Sequence, residues 1–419
     1  MNKGKEFEVE ISNGGPKSYD TSVTLELPAT WAEFNDALQR ARIEDPRRCK
    51  NEIVGMRKKW AFLTTPTGQY HIGRNGNLLE LNLLAQRLTM LTEEAQFGFE
   101  GLLKMEQEKT CGPIPLPKLI NLTFNTEQCC VASKVFNHRE LGQLLWDSEM
   151  LSDEAMALLD QAEPDSEYRN SLLEVFGKKH LEDEGGIITS RGYVEMSGEI
   201  REVYVPGEMA YFNRTGAPVV LEVRKGFFDD PAYDNSLAAG LDLPAHEAAV
   251  WRAVEAVEAA SAKECDFRCV DCLIPAARQM INDAIDAEGG IGQADAFARL
   301  LARKERVWTE ADIVKYKALL SASGCACLED AMELAEELEQ YDLLPEIAEP
   351  WDYAEARLRE KYPDLPPILF QTSQAYQAGQ EMLEQDHAAL TGYGLIRRKD
   401  GQPLPELRQE ASGITQRME

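Results

Sequence analysis

Short alternating runs separate longer stretches with helical spacing along this chain. Residues 23–27 (VTLEL) alternate apolar and polar positions, as a half-buried strand does. Pro28 stops that run, and Thr30 is placed to cap the helix WAEFNDALQRARI, whose Trp31, Phe34, Leu38 and Ile43 form one apolar face. The polar, Gly-containing residues 1–19 read as a loose arm or a first edge strand, and WAFLT at 60–64 as a second strand. Helical spacing follows in NLLELNLLAQRLTML and TEEAQFGFEGLLKMEQE, where the Thr92-Glu93-Glu94 start suits the positive end of a helix dipole. After Pro113, Pro115 and Pro117 come the helix PKLINLTFN, two acidic amphipathic helices, HRELGQLLWDSEML and DEAMALLDQ, and the stretch SLLEVFGKKHLEDEGG, which ends in a glycine pair. IITSRGYVEM and EIREVYV are expected to pair as a hairpin turning at Ser197-Gly198, and PVVLEV at 218–223 to form a further strand. Most of the second half has helical spacing: AAVWRAVEAVEAASAKE, AARQMINDAIDAE, ADAFARLLARKERV, EADIVKYKALL, LEDAMELAEELEQY and DYAEARLREKY.

The second half also repeats the first. LELP at 25–28 recurs as LDLP at 241–244, each followed at once by an amphipathic helix, an offset of 216. TEEAQFGFEGLL at 92–103 recurs as TEADIVKYKALL at 309–320, with Phe99 against Tyr316 and an offset of 217. PKLINL at 117–122 falls against EDAMEL at 329–334, and TSRGYV at 189–194 against TGYGLI at 391–396. Order is kept while the offset drifts, as changes in loop length produce. The pattern predicts an α+β chain of small domains by tandem duplication, with small sheet and hairpin pieces, helical bundles and a mostly α second half. The expected segments are a polar arm (1–20), a small α+β domain (21–112), an acidic helical segment with hairpin (113–214), a second-repeat helical domain (215–325), its acidic segment (326–399) and a polar tail (400–419).

Charge narrows the function. Of 419 residues, 72 are acidic and 44 basic, for a net charge of −28. Nucleic-acid binders carry basic patches that neutralise phosphate, so this chain is expected to be repelled by DNA and by anionic membranes. The start lacks an apolar leader and no stretch approaches the ~20 apolar residues of a membrane span, so a cytoplasmic protein is expected. Nine cysteines spread through so long a chain read as reduced thiols.

The order LELP-helix, WAFLT, NLLELNLLAQRLTMLTEEAQFGFEGLL, PKLINLTFN, RELGQLLW and EVFGKKHLEDEGGIITSRGYV resembles the antirestriction protein ArdA family over about residues 20–210. The sharpest pieces are LNLLAQRL, LINLTFN followed by ELGQLL, and the glycine hairpin before EIREVYVPGE. The resemblance implies an elongated α+β protein from a mobile genetic element that forms homodimers. It implies mimicry of bent B-DNA, occupying the DNA groove of type I restriction–modification enzymes, mainly on the methyltransferase core, with no enzymatic activity and no cofactor. Members are usually near half this length, so two units in one chain would let a monomer do what the family does as a dimer.

DNA mimicry requires carboxylates on outer faces, and helix positions three or four apart lie ~5–6 Å from each other. The first 139 residues are near charge balance. Residues 140–208 carry 17 acids and 5 bases, and residues 229–349 carry 26 acids and 10 bases. The candidate partner-binding carboxylates are Glu140, Asp147, Glu149, Asp153, Glu154, Asp160, Glu163, Asp165, Glu167, Glu182, Asp183 and Glu184, then Glu329, Asp330, Glu333, Glu336, Glu337 and Glu339.

One rival chemistry is visible. Cys265-x3-Cys269-x2-Cys272 has the spacing of the radical-SAM iron–sulfur triad, and the same thiols with Cys325, Cys327 or His246 are a candidate zinc site. Against both stands a helix-turn carrying buried thiols. The five histidines form no HExxH pair, no phosphate-binding glycine loop or nucleophile elbow occurs, and His180 reads as a surface residue. Arg57, Lys58 and Lys59 with Arg47, Arg48 and Lys50 form the basic patch, expected to balance acids of this chain or of a partner copy. A third reading is an acidic interaction protein acting on another host defence system.

Overall fold

The structure, a computed structural model, describes residues 4–14, 21–63, 72, 75–110, 112–164, 166–228 and 237–407. The chain forms two compact units. The first comprises Met1–Ile11, Thr24–Ala29 and Asp45–Phe212; the second comprises Ser12–Val23, Thr30–Glu44 and Asn213–Glu419.

The fold is α+β, built on small three-stranded sheets. The first half runs β1 (Phe7–Ser12), β2 (Val23–Leu27), α1 (Trp31–Arg40), β3 (Lys50–Met56), α2 (Leu78–Thr89), α3 (Glu93–Lys109), α4 (Leu116–Phe124), β4 (Cys129–Ser133), α5 (His138–Asp147), α6 (Asp153–Gln161), α7 (Glu167–Glu184), β5 (Ile187–Ile188) and β6 (Gly192–Met196). The second half runs β7 (Val219–Lys225), β8 (Ala238–Leu243), α8 (Glu247–Ala256), β9 (Cys265–Cys272), α9 (Ala277–Glu288), α10 (Gly292–Lys304), α11 (Glu310–Ser323), α12 (Leu328–Glu336), β10 (Tyr341–Leu344), α13 (Pro350–Lys361), α14 (Ser373–Gln385), β11 (Ala389–Thr391) and β12 (Gly394–Arg398).

The strands of the two lists follow one topology, while the helices differ: three against four between the two sheets, and three against two before the closing hairpin. Sheet orders β2-β1-β3 and β8-β7-β9 correspond, as do β4-β6-β5 and β10-β12-β11. The Leu27-Pro28 and Leu243-Pro244 peptide bonds are both cis. The hairpin turn repeats atom for atom. Thr189 Oγ1 donates to the Gly192 carbonyl (3.0 Å) and accepts from the Arg191 N–H (3.0 Å); Thr391 does the same with Gly394 (2.8 Å) and Tyr393 (3.2 Å). Gly192 and Gly394 hold φ of +138° and +126°, which only glycine adopts without strain.

The helix pairs repeat as well. A Cβ on Gly177 of α7 would strike the His138 carbonyl at the start of α5, and one on Gly379 of α14 would strike the Pro350 carbonyl of α13. The backbones can meet there because no side chain intervenes. Small apolar clusters sit beside these crossings: Val135, Leu141 and Tyr193 in the first half, Ile347, Tyr353 and Leu395 at matching positions in the second. A large core lies in the second unit, where Val219, Leu221 and Val223 of β7 pack with Cys269, Ile281, Phe297, Leu301 and Leu319.

Local chemistry explains the helix starts. Thr30 accepts from the Glu33 N–H while Glu33 reaches back to Thr30, a reciprocal capping box, and Thr309 with Asp312 repeats the device on α11. Thr92 caps α3 through the Ala95 N–H.

Several expectations are corrected. The residues read as a loose arm or edge contain β1, the middle strand of its sheet. WAFLT is not a strand: Lys58–Leu63 is a 3-10 turn that buries Trp60 and Leu63, three apart, and the strand lies upstream at β3. EIREVYV is not the partner of IITSRGYVEM; the hairpin is β5–β6, turning at residues 189–192. EIREVYV runs irregularly along α4, where the Asn121 and Asn125 side chains replace a strand partner. Asn121 Oδ1 accepts from the Val203 and Tyr204 N–H groups (2.7 and 2.8 Å), and Asn125 Oδ1 from the Arg201 N–H (2.8 Å). The second half is mostly helical, as its spacing suggests, and also holds six short strands among the described residues. The expected polar tail is described only to residue 407; residues 408–419 lie outside the described residues.

Candidate functional site: an acidic helical surface

Helices α5, α6 and α7 carry most of the first half's candidate carboxylates. Their inner faces hold Leu141, Leu145, Ala155, Leu159 and Leu173, all buried. Gly142 of α5 faces the Leu173 backbone closely enough to exclude a Cβ, so the α5–α7 crossing leaves no interior room for charge. Arg169 is drawn inward, its guanidinium 4.3 Å from the Trp146 ring and bonded to the Leu159 carbonyl. A base that the sequence placed among these acids is thereby spent on packing.

The acids divide by what the helix asks of them. Glu140 is half-buried and accepts from the Phe136 N–H (2.6 Å), closing the start of α5. Asp153 and Glu154 occupy the first turn of α6, and Glu167 that of α7, where the dipole favours them. Asp147 accepts from Gln143 (2.8 Å), and Glu149 follows α5 with φ of +55°. Asp160 and Glu163 are exposed near the end of α6. Asp165 lies outside the described residues. Glu182, Asp183 and Glu184 fill the last turn of α7, at the negative end of its dipole, with no base in that turn. Lys178 stands 3.8 Å from Glu182, one turn back. Among the described residues Glu149, Asp153, Glu154, Asp160, Glu163, Glu167, Asp183 and Glu184 make no ion pair, and all eight are exposed.

The second group is less uniform. Glu329 and Asp330 stand in the first turn of α12, where Asp330 is half-buried. Glu329, Glu333 and Glu337 are exposed at i, i+4, i+8, one stripe along the helix. Glu339 is exposed beyond it. Glu336 is clamped by Lys304 (2.6 Å) and Arg303, and these cations hold its carboxyl below the ordinary range. It faces α10 rather than offering a free charge.

The cysteine triad is not brought together. Cys265–Cys272 is strand β9, not a helix-turn. An extended strand advances ~3.3 Å per residue, which separates its ends far beyond the reach of one cluster. A bulge opposite Val220/Leu221 lets Cys269 and Cys272 both turn into the core although they are three apart. Burial pushes the Cys269 thiol up to about 12 and the Cys272 thiol well above the ordinary range, so both are neutral packing groups. Cys325 donates to the Cys327 carbonyl (3.4 Å), and burial raises it to about 11. Among the described residues no three His, Cys, Asp or Glu side chains converge as a metal site.

One further expectation changes. His180 is half-buried, not a surface group: its Nε2 lies 2.8 Å from Glu195 Oε2, which also accepts from the Tyr193 hydroxyl (2.7 Å). This pins α7 to β6. Tyr193 and Glu195 are two apart on a strand and share a face, a signal legible in sequence. The basic patch is partly committed: Arg57 (3.5 Å) and Lys59 (3.0 Å) pair with Glu6, whose other oxygen accepts from Trp60 Nε1 (2.6 Å) inside the first unit. Arg48 stands 3.8 Å from Asp45. None of the described helices is long and apolar enough to cross a membrane. No family model, curated protein or solved structure matches this chain, so its function is read from this surface.

Proposed function

We propose that the chain is a non-enzymatic anti-restriction protein that presents carboxylates where DNA presents phosphates, and that it occupies the DNA groove of a type I restriction–modification methyltransferase in the cytoplasm. The observation that carries the reading is the layer on α5–α7, where eight exposed carboxylates stand without a described cation. Asp183 and Glu184 stand there against their own helix dipole. Solubility alone does not require acids at the unfavourable end of a helix. A basic groove that receives them would offset that cost. The resemblance of residues 20–210 to the ArdA family points to the same partner.

A polyanion mimic displaces DNA by competition and releases the groove's own counterions, so its affinity falls steeply with salt. The test is a DNA-binding assay on a purified type I methyltransferase with the chain as competitor. Inhibition overcome by added DNA and lost at high salt supports the reading. No inhibition of such an enzyme at low salt overturns it. Inhibition only of another defence enzyme would keep the acidic surface and replace the target.

A further inference from the structure

Helix α7 is apolar on two sides. Its inner side carries Leu173 and Gly177, both buried at the crossing with α5. Its outer side carries Tyr168, Leu172 and Val175, spaced i, i+4, i+7 as one stripe. Tyr168 and Val175 are 59% and 60% exposed, and Leu172 between them is half-buried. At about 100° per residue, this stripe lies roughly 150° around the helix from Leu173 and Gly177. The packing on α5 therefore leaves it open. Single exposed apolar side chains are ordinary, whereas a continuous outward stripe marks a contact surface.

The second repeat lacks this stripe. The crossing glycines Gly177 and Gly379 set an offset of 202 between α7 and α14. At that offset Leu172 and Val175 become Gln374 and Gln377, both exposed. Tyr168 becomes Phe370, which is buried. The same helix crossing is thus satisfied with amides on its outer side, so folding does not require the stripe on α7.

The surroundings of the stripe say what it fits. Glu167 and Glu174 are exposed along one side of it, seven apart. Lys178 and Lys179 bound it one turn on, followed by exposed Glu182 and Asp183. A surface that copied phosphates alone would present charge without apolar area. Arginine matches both chemistries at once: its guanidinium pairs with carboxylates and lies flat on aromatic rings, and its stem is aliphatic. The same layer shows such a contact within the chain, where Arg169 lies 4.3 Å from the Trp146 ring.

We propose, resting on the anti-restriction reading, that Tyr168, Leu172 and Val175 form an apolar ridge that receives arginine side chains from the DNA groove of the partner enzyme, while Glu167 and Glu174 take their charge. The acids of the layer supply attraction that salt weakens. The ridge supplies a part of the affinity that releases no counterions, and it gives the groove a contact that DNA does not offer.

Binding of the full chain to a purified type I methyltransferase across a salt series tests the ridge. Tyr168→Gln/Val175→Gln keeps every charge and puts glutamine at outward positions, as α14 does. It is expected to bind about tenfold or more weakly at every salt concentration, with the slope of log affinity against log salt unchanged. Asp183→Asn/Glu184→Gln is expected to flatten that slope instead. A Tyr168→Gln/Val175→Gln chain that binds like the wild type overturns the ridge alone, as does a loss that comes with a flatter slope. A wild type that fails to bind at low salt overturns the anti-restriction reading and the ridge with it. Should the double variant fail to fold by circular dichroism, Val175→Gln decides by itself, since it replaces a β-branched residue with a better helix former. A loss of about threefold is then expected at all salt concentrations, and unchanged binding overturns the ridge.

Discussion

The paired helices α5–α7 and α13–α14 occupy the same place in the two repeats and treat their acids in opposite ways. In the second repeat Arg357 holds Asp386 (3.2 Å) and Glu360 (3.2 Å), and Arg359 holds Glu355 (2.8 Å). In the first, four bases stand on α5 and α7, but Lys178 alone of them is near an acid of its own helices (Glu182, 3.8 Å), and Arg169 is turned onto Trp146. One framework can thus carry either a neutralised or an unneutralised surface. The framework is set by glycines, turn hydrogen bonds and apolar clusters; the charge pattern is laid over it. Under the proposed function, partner binding concentrates on α5–α7, with the α12 stripe as a second patch and α13–α14 as scaffold.

The comparison breaks if charges matter equally in both places. The largest effect is expected where charge is structural. Asp36→Ala leaves Lys317 buried without its counter-ion and should cost about 3–5 kcal/mol in urea unfolding. A loss below ~1 kcal/mol would mean that the site stays wet and the pair is surface-like. Next come the shared crossings. Gly177→Ala and Gly379→Ala should each destabilise by about 1–3 kcal/mol, because the added methyl meets a carbonyl oxygen that only backbone movement can clear. A neutral result at either would show that the two crossings are not equivalent.

Smaller effects carry opposite signs. Removing Asp183 and Glu184 charge (Asp183→Asn/Glu184→Gln) should stabilise the fold by about 0.3–1 kcal/mol, since both oppose the α7 dipole. Glu355→Gln should instead cost a few tenths of a kcal/mol through the lost Arg359 pair. Equal signs at the two sites would remove the distinction drawn between them. The smallest expectation concerns thiols: exposed Cys130 should react promptly with a disulfide reagent, while Cys269 and Cys272 react only on unfolding.

Much of the framework was legible in sequence because its signals are local. The LxLP-helix recurrence and the Thr-started helices each place cap, apolar face and stop within a few residues. What was not legible depends on distant partners. EIREVYV alternates like a strand, but the Asn121 and Asn125 side chains take its backbone groups. The CDFRCVDC spacing suggested a metal triad, yet pairing with β7 and one bulge turned it into a packed edge strand. The candidate carboxylates were found by counting charge. Counting could not reveal that Glu336 is clamped by Lys304 and Arg303, nor that Arg169 leaves the acidic layer for Trp146.

The most direct test is competition with labelled DNA for a type I methyltransferase at low salt, comparing the wild type with two folded variants. In one, Asp153, Glu154, Asp183 and Glu184 of α6–α7 become their amides; in the other, Glu355 and Glu360 of α13 do. The account predicts that the first loses competition by at least tenfold while the second matches the wild type. Equal competition by all three, or loss confined to the α13 variant, would contradict it.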